Sequence, residues 1–178
     1  MQEYFAELIG RNARLNHLED CVIPLFGDVR ALTVADVGGE ADAVISNPPY
    51  MKSGSGLTNA SDEMNTARRE ENGTVADFCA SAARLLKFGG TFTVVYRPDR
   101  LAELLCSMRG ASLEPKKLVT VYPTAEDKPC LVLVEAKKGA SEGMVFARPL
   151  IIYENKNSTV YTADMQKIYD TFSLDHLF

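Results

Sequence analysis

Apolar residues recur at helical spacing at the start of the chain, with Phe5, Leu8, Ile9 and Leu15 separated by charged and polar positions. The pattern predicts a helix over 3–15. The short apolar run Cys21-Val22-Ile23-Pro24-Leu25-Phe26 ends in Gly27-Asp28 and reads as a strand over 21–26 with an acid at its carboxyl end. Pro24 argues against a central place in a sheet, because proline cannot donate to a ladder. The next predicted strand, 41–46, runs directly into Asn47-Pro48-Pro49-Tyr50. Residues 51–73 are rich in Gly, Ser, Asn and charge, which predicts a long mobile loop, and a loop that long inside a compact domain is functional or disordered.

Beyond that loop the pattern becomes regular. Thr74 reads as a helix cap with Asp77 three residues on. Val75, Phe78, Cys79, Ala82, Leu85 and Leu86 form a helical stripe that stops at Gly89-Gly90. Thr91 to Tyr96 is β-branched and aromatic and predicts a strand. A second helical stripe (Leu101, Leu104, Leu105, Met108) closes at Gly110, and strands follow near 117–122 and 130–136. The turn from Pro123 to Pro129 between them predicts an antiparallel hairpin. Leu150 to Tyr153 reads as an edge strand and 162–172 as a short helix. Strands alternating with helices imply an α/β, Rossmann-like, mostly parallel sheet with a C-terminal antiparallel hairpin, in a single domain over 1–178. Ligands of such sheets sit at the carboxyl ends of the strands, so Asp28 and Asn47 should face one crevice.

Composition narrows the picture. With 178 residues, 46% hydrophobic and 24% charged, the chain can bury one sizeable core. It has no apolar run long enough to span a membrane, and Met1-Gln2-Glu3-Tyr4 does not open a signal peptide. A reduced, cytoplasmic protein with buried thiols is the expectation for Cys21, Cys79, Cys106 and Cys130, which form no CxxC pair; with only His17 and His176 available, no metal site is expected. A net charge of −5 opposes bulk coating of nucleic acid but leaves room for a local basic patch, with Arg68-Arg69, Arg97, Arg100 and Lys116-Lys117 as candidates.

The Asn-Pro-Pro-Tyr loop carries the chemistry. Its two prolines fix two φ angles, remove two N–H donors and hold the preceding residues extended. The result is a stiff loop richer in acceptors than donors, able to aim the Asn47 side-chain oxygen and the Pro48 carbonyl into a crevice. An exocyclic base amine is a poor nucleophile because its lone pair is delocalised into the ring. Two acceptors on its two hydrogens would favour a tetrahedral nitrogen and a lone pair aimed at a sulfonium methyl. Orientation and stabilisation of developing positive charge then supply the rate. Tyr50 offers a flat face for stacking, worth about 1–3 kcal/mol per base.

The run DAVISNPPYMKSGSG resembles the fourth motif of amino-methyltransferases. The wider context resembles the bacterial tRNA(Val) adenine-37 N6-methyltransferases of the methyltransferase small-domain group. That similarity continues through ARREENGTVADFCASAARLLKFGGTFTVVYRPDRLAELL, EPKKLVTVYPTAEDKPCLVLVEAKKG and PLIIYE, over roughly residues 2 to 165. The resemblance implies a class I S-adenosylmethionine-dependent methyltransferase fold and activity, with S-adenosylmethionine as cofactor and RNA, most specifically tRNA, as partner. It assigns Asn47, Pro48, Pro49 and Tyr50 to the catalytic loop. Asp28 matches the acid that binds the cofactor's adenine amino group, with Val29 and Asn47 beside the cofactor. Tyr50, Arg68, Arg69 and Glu70 fall in the substrate segment.

One departure stands out. Such domains open with a strand and glycine-rich turn, then a second strand ending in a ribose-binding acid. No GxG precedes residues 2–15, Gly38-Gly39 and Gly89-Gly90 are misplaced for the role, and Glu3 falls about three residues late for the acid. The expectation is an N-terminally truncated domain that binds S-adenosylmethionine weakly. The family's strand order, 3-2-1-4-5-7-6, matches 21–26 to strand 3 and 41–46 to strand 4. Without the two strands between them these would lie about 14 Å apart, three spacings of about 4.8 Å. Either 21–26 then pairs directly with 41–46, or segment 150–161 or another copy of the chain fills the gap, which makes a homo-oligomer an expectation too. The same tetrapeptide also serves transfer to guanine N2 or to a protein glutamine, and a catalytically inactive binding domain is the reading from a different class.

Overall fold

A computed structural model describes residues 3–49 and 73–178. Helix α1 (Glu3–Leu15) forms where the 3.6-residue period predicts, with Glu3 in its first turn and Arg14 in its last, both favourable to the helix dipole. Only Ala13 is buried, and Tyr4, Phe5, Ile9 and Leu15 are exposed.

The strand expected over 21–26 is absent. Cys21 and Val22 donate their backbone N–H groups to the Leu18 carbonyl, and Pro24 has none to give. The segment is therefore spent on a turn and lies against α1, where Pro24 comes close to Gly10. Neither expected repair of the sheet occurs within this chain: β1 (Ala41–Ser46) pairs only with β2 among the described residues, and residues 150–151 join the opposite flank.

Helix α2 (Val75–Leu85) opens with the predicted capping box. Thr74 Oγ accepts from the Asp77 N–H, and Asp77 reaches back to the Thr74 N–H at 2.8 Å. The helix does not run on to Gly89-Gly90 as expected. It stops at Leu85, and Leu86 already starts β2 (Leu86–Tyr96). The two glycines instead belong to a bulge opposite β1, where the register passes from Ala41↔Leu86 to Ala43↔Thr91. Gly89 has φ +80°, and a Cβ on Gly90 would lie 3.0 Å from the Asp42 and Lys87 carbonyl oxygens. A side chain at Gly90 would crowd that approach and push the bulge apart.

A short 3₁₀ turn (Pro98–Arg100) leads into α3 (Leu101–Gly110), then β3 (Leu113–Tyr122), β4 (Leu131–Lys138), β5 (Val145–Phe146), β6 (Leu150–Ile151) and α4 (Ala163–Thr171). The sheet order is β1-β2-β4-β3-β5, with β6 also on β3. β4 is antiparallel to both neighbours, as the hairpin predicts, and the remaining pairings are parallel. The run β1-β2-β4-β3 is the 4-5-7-6 part of the expected order.

Alternation along the strands builds two cores. Phe92, Val94 and Tyr96 of β2, Val132, Val134 and Ala136 of β4, and Leu118 of β3 face α2 and α3, where Cys79, Ala82, Leu104 and Met108 meet them. On the other face Val119, Val121, Leu150 and Leu177 form a smaller cluster under α4. Of the free thiols only Cys79 is buried; Cys21, Cys106 and Cys130 are exposed, contrary to the expectation of buried thiols. Among the described residues no helix is long and apolar enough to cross a membrane, and no cluster of metal-ligating side chains occurs.

Candidate active site at the carboxyl edge of the sheet

Strand direction decides which residues meet. β1, β2, β3 and β6 all run the same way, so Asn47, Arg97, Pro123 and Tyr153 follow strand ends along one edge, with the start of β4 at Leu131 between them. Period-two alternation carries past the end of β1. Val44 and Ser46 are half-buried and Pro48 is fully buried, whereas Ala43, Ile45 and Asn47 are exposed. Pro48 thus anchors the loop in the interior and holds Asn47 on the open face. Pro49 is half-buried, while Tyr50, Arg68, Arg69 and Glu70 lie outside the described residues.

Asp28 sits on an exposed turn. Its carboxylate accepts from the Arg30 backbone N–H at 2.9 Å and from the guanidinium Nη2 at 2.5 Å. The Arg30 side chain first, and then its backbone N–H, hold the Asp28 carboxyl down at about 2. Arg84, in the last turn of α2, fastens this turn to the domain by donating to the carbonyls of Leu32 at 2.6 Å and Val29 at 3.2 Å. Val29 also stands next to Gly73, whose Cβ position would be 3.4 Å from Val29 Cγ1. The chain that leaves the described residues after Pro49 therefore re-enters at Gly73 beside Val29, one residue from Asp28. Among the described residues no hydrogen bond joins Asp28 to Asn47. Arg84 escaped sequence reasoning because its only local signal is a basic residue in a helix's last turn.

The other basic candidates are largely absorbed internally. Arg97 is held by both oxygens of Asp99, and Arg100 lies over the Tyr96 ring and pairs with Glu103 at 2.8 Å. Lys117 faces Glu135 at 3.6 Å, and Lys116 donates to the Ser141 carbonyl at 3.1 Å. At the edge itself Arg97, Asp99, Lys128, Pro129 and Leu131 line a cleft of about 580 Å³. Lys128 is exposed there and is a further residue that no motif singled out. A smaller cavity of about 320 Å³ lies on a sheet face, between mid-strand residues such as Val119 and Leu133 and the C-terminal Phe172 and Phe178, away from the Asn47 edge.

Comparison with known proteins bears on the fold. No family model and no curated protein matches the chain. Among solved structures, a predicted O-methyltransferase from Agrobacterium tumefaciens matches at 22% identity over 95% of this chain and 74% of that one, with a TM-score of 0.71. Geranyl diphosphate C-methyltransferase from Streptomyces coelicolor, solved with Mg²⁺, geranyl diphosphate and S-adenosyl-L-homocysteine, matches at 14% over 75% of this chain and 60% of that one, TM-score 0.50. A modification subunit of a proposed type I restriction enzyme from Vibrio vulnificus matches at 15% over 93% of this chain and 37% of that one, TM-score 0.53. At these identities the likeness concerns architecture: the chain has the class I S-adenosylmethionine methyltransferase fold.

Proposed function

We propose that the protein transfers a methyl group from S-adenosylmethionine to the exocyclic amino nitrogen of a nucleic-acid base, and that adenine N6 in tRNA is the substrate its motifs fit best. The observation that carries this is the end of β1, where a buried Pro48 holds an exposed Asn47 at the carboxyl edge of a methyltransferase sheet. The restriction-enzyme modification subunit among the structural relatives is compatible with a nucleic-acid substrate. The residues present fit the adenosine end of the cofactor. Asp28 is exposed and ionised, so its carboxylate can accept from an adenine amino group in exchange for one of its Arg30 contacts, and Val29 offers an apolar side beside it. S-adenosylmethionine, when bound, supplies an electrophilic sulfonium methyl.

The chain's own part is orientation. The Asn47 oxygen and the Pro48 carbonyl accept the two amine hydrogens, draw the nitrogen out of conjugation and stabilise the positive charge it acquires. Tyr50 stacks on the base, and Arg68 and Arg69 contact the backbone that carries it. Loss of the Asn47 acceptor removes a preorganised contact to the developing charge, an effect of about 100-fold or more on turnover. Asn47→Ala should therefore abolish methyl transfer to unmodified tRNA while leaving the circular-dichroism spectrum unchanged; near wild-type turnover would refute the reading. Transfer to a protein glutamine uses the same geometry, so the assay includes a protein acceptor beside tRNA.

A further inference from the structure

Three tyrosines meet beyond the end of β6, with Tyr169 reaching the stack from α4. Tyr153 and Tyr161 stack with ring centroids 5.5 Å apart and 19° between planes, and Tyr161 and Tyr169 stack at 5.2 Å and 27°. The hydroxyls of Tyr161 and Tyr169 lie 3.4 Å apart. The stack is built rigidly onto the sheet. Ile152 donates to the Tyr122 carbonyl and Tyr153 to the Pro123 carbonyl, each at 2.9 Å, and Tyr153 and Tyr161 form a β-bridge. Thr162 caps α4 by accepting from the Met165 N–H. Tyr169, the last ring of the series, is 51% exposed.

A stack that served only to hold α4 in place would gain most by burying its last ring. This one leaves its terminal residue half in solvent, next to the end of β6 that Tyr153 follows. From β1 to β6 the edge crosses β2, β4 and β3, four spacings of about 4.8 Å, so the end of β6, which Tyr153 follows, stands about 19 Å from the end of β1. Between them lies the cleft with Arg97, Lys128 and Pro129. Lys156, 55% exposed, stands 3.6 Å from Asp127 on the β3–β4 turn. Lys156 also stands 3.8 Å from Glu126, so its charge is already balanced and does not explain attraction there; the aromatic face does.

Resting on the nucleic-acid reading above, we propose that the Tyr153–Tyr161–Tyr169 stack is a docking platform for an unpaired base remote from the base that enters the Asn47 loop. Lys128 contacts a phosphate of the strand between the two. The platform reads no sequence, because every base has a π-face. It sets a minimum substrate length instead, since only a strand bridging the cleft can use both ends. That makes the enzyme prefer an extended single-stranded loop over a free nucleoside.

The test uses the full chain and fluorescein-labelled A-rich single-stranded RNA of about 12 nucleotides and of about 3, chosen so that only the longer can reach both ends. Tyr169→Ala should weaken the longer strand about ten-fold, the scale of one lost base–aromatic stack, and leave the shorter one unchanged. Tyr169→Phe should bind within about two-fold of wild type, because stacking needs the ring and not the hydroxyl. Lys128→Ala should lower the slope of log affinity against log salt by about one for the longer strand. Equal loss on both strands, or wild-type binding by Tyr169→Ala, overturns the platform while leaving the Asn47 reading intact. A wild-type chain that binds neither strand overturns both.

Discussion

The first forty residues and the stretch from 75 to 138 have similar apolar content and opposite fates. In the later stretch Phe92, Val94, Tyr96, Leu104, Met108 and Val134 are almost wholly buried between one sheet face and two helices. In the early one Phe5, Ile9, Leu15, Ile23, Leu25 and Phe26 are exposed, Ile23 at 85%. Composition does not separate the two; partners do. An apolar run becomes a strand only where a neighbouring edge takes up its backbone groups and a facing layer takes up its side chains. Among the described residues Cys21 to Phe26 has no neighbouring edge, and the Leu18 carbonyl takes the N–H groups of Cys21 and Val22. Ala41 to Ser46 has β2 on one side and α2 on one face, and forms its ladder even with Ile45 83% exposed.

The sharpest way to break the comparison is to cut a large apolar side chain back to alanine on each side. Phe92→Ala opens a cavity in the main core and should destabilise by about 3–5 kcal/mol, seen as a lower urea midpoint at unchanged slope. Ile23→Ala removes side-chain area already in water and should stay within about 0.5 kcal/mol. Similar losses at both positions would mean that the first forty residues share the main core after all.

A smaller effect sharpens the boundary between α2 and β2. Gly90→Ala brings a methyl to 3.0 Å from the Asp42 carbonyl oxygen and from Leu86 Cδ2, and should destabilise by about 1–3 kcal/mol. Because the strain falls on the β1–β2 bulge, hydrogen exchange should quicken at Ala43 to Ser46 more than in β3 or β4. A neutral substitution would restore the reading of Gly89-Gly90 as a helix stop.

That bulge marks where the sequence ceases to be legible. Helix α2 can be read because its signals are local: Thr74 and Asp77 meet within one turn, and the stripe from Val75 to Leu85 repeats every 3.6 residues. The β3–β4 hairpin can be read because Pro123 and Pro129 bracket its turn. Glycine pairs stop helices and also bend strands, and which they do depends on Asp42 of β1, nearly fifty residues away. The same holds at the site. Asn47 is legible because two prolines follow a strand. Arg84 grips Val29 and Leu32 across more than fifty positions, and Tyr153, Tyr161 and Tyr169 meet only through a bridge and a helix turn.

The smallest effect concerns the charge state of each region, and the two titrate with opposite signs. Arg30 holds the Asp28 carboxyl at about 2, below its ordinary 3.8. The folded chain therefore binds that proton more weakly than the unfolded one. The stability this adds is fully present above pH 3.8 and disappears as pH falls towards 2. Burial raises the Cys79 thiol from 9.0 to about 12, so the folded chain holds that proton more tightly. The associated stability is fully present below pH 9.0 and is lost as pH rises towards 12. Asp28→Asn should therefore lower the melting temperature slightly at pH 6, with the gap from wild type closing between about pH 4 and pH 2. The gap should be small and should shrink in salt, because both partners are exposed and screened. Cys79→Ala should instead flatten the alkaline limb and leave the acid limb unchanged. An acid-limb gap that persists below pH 2 would show that Asp28 acts on the turn through something other than its charge.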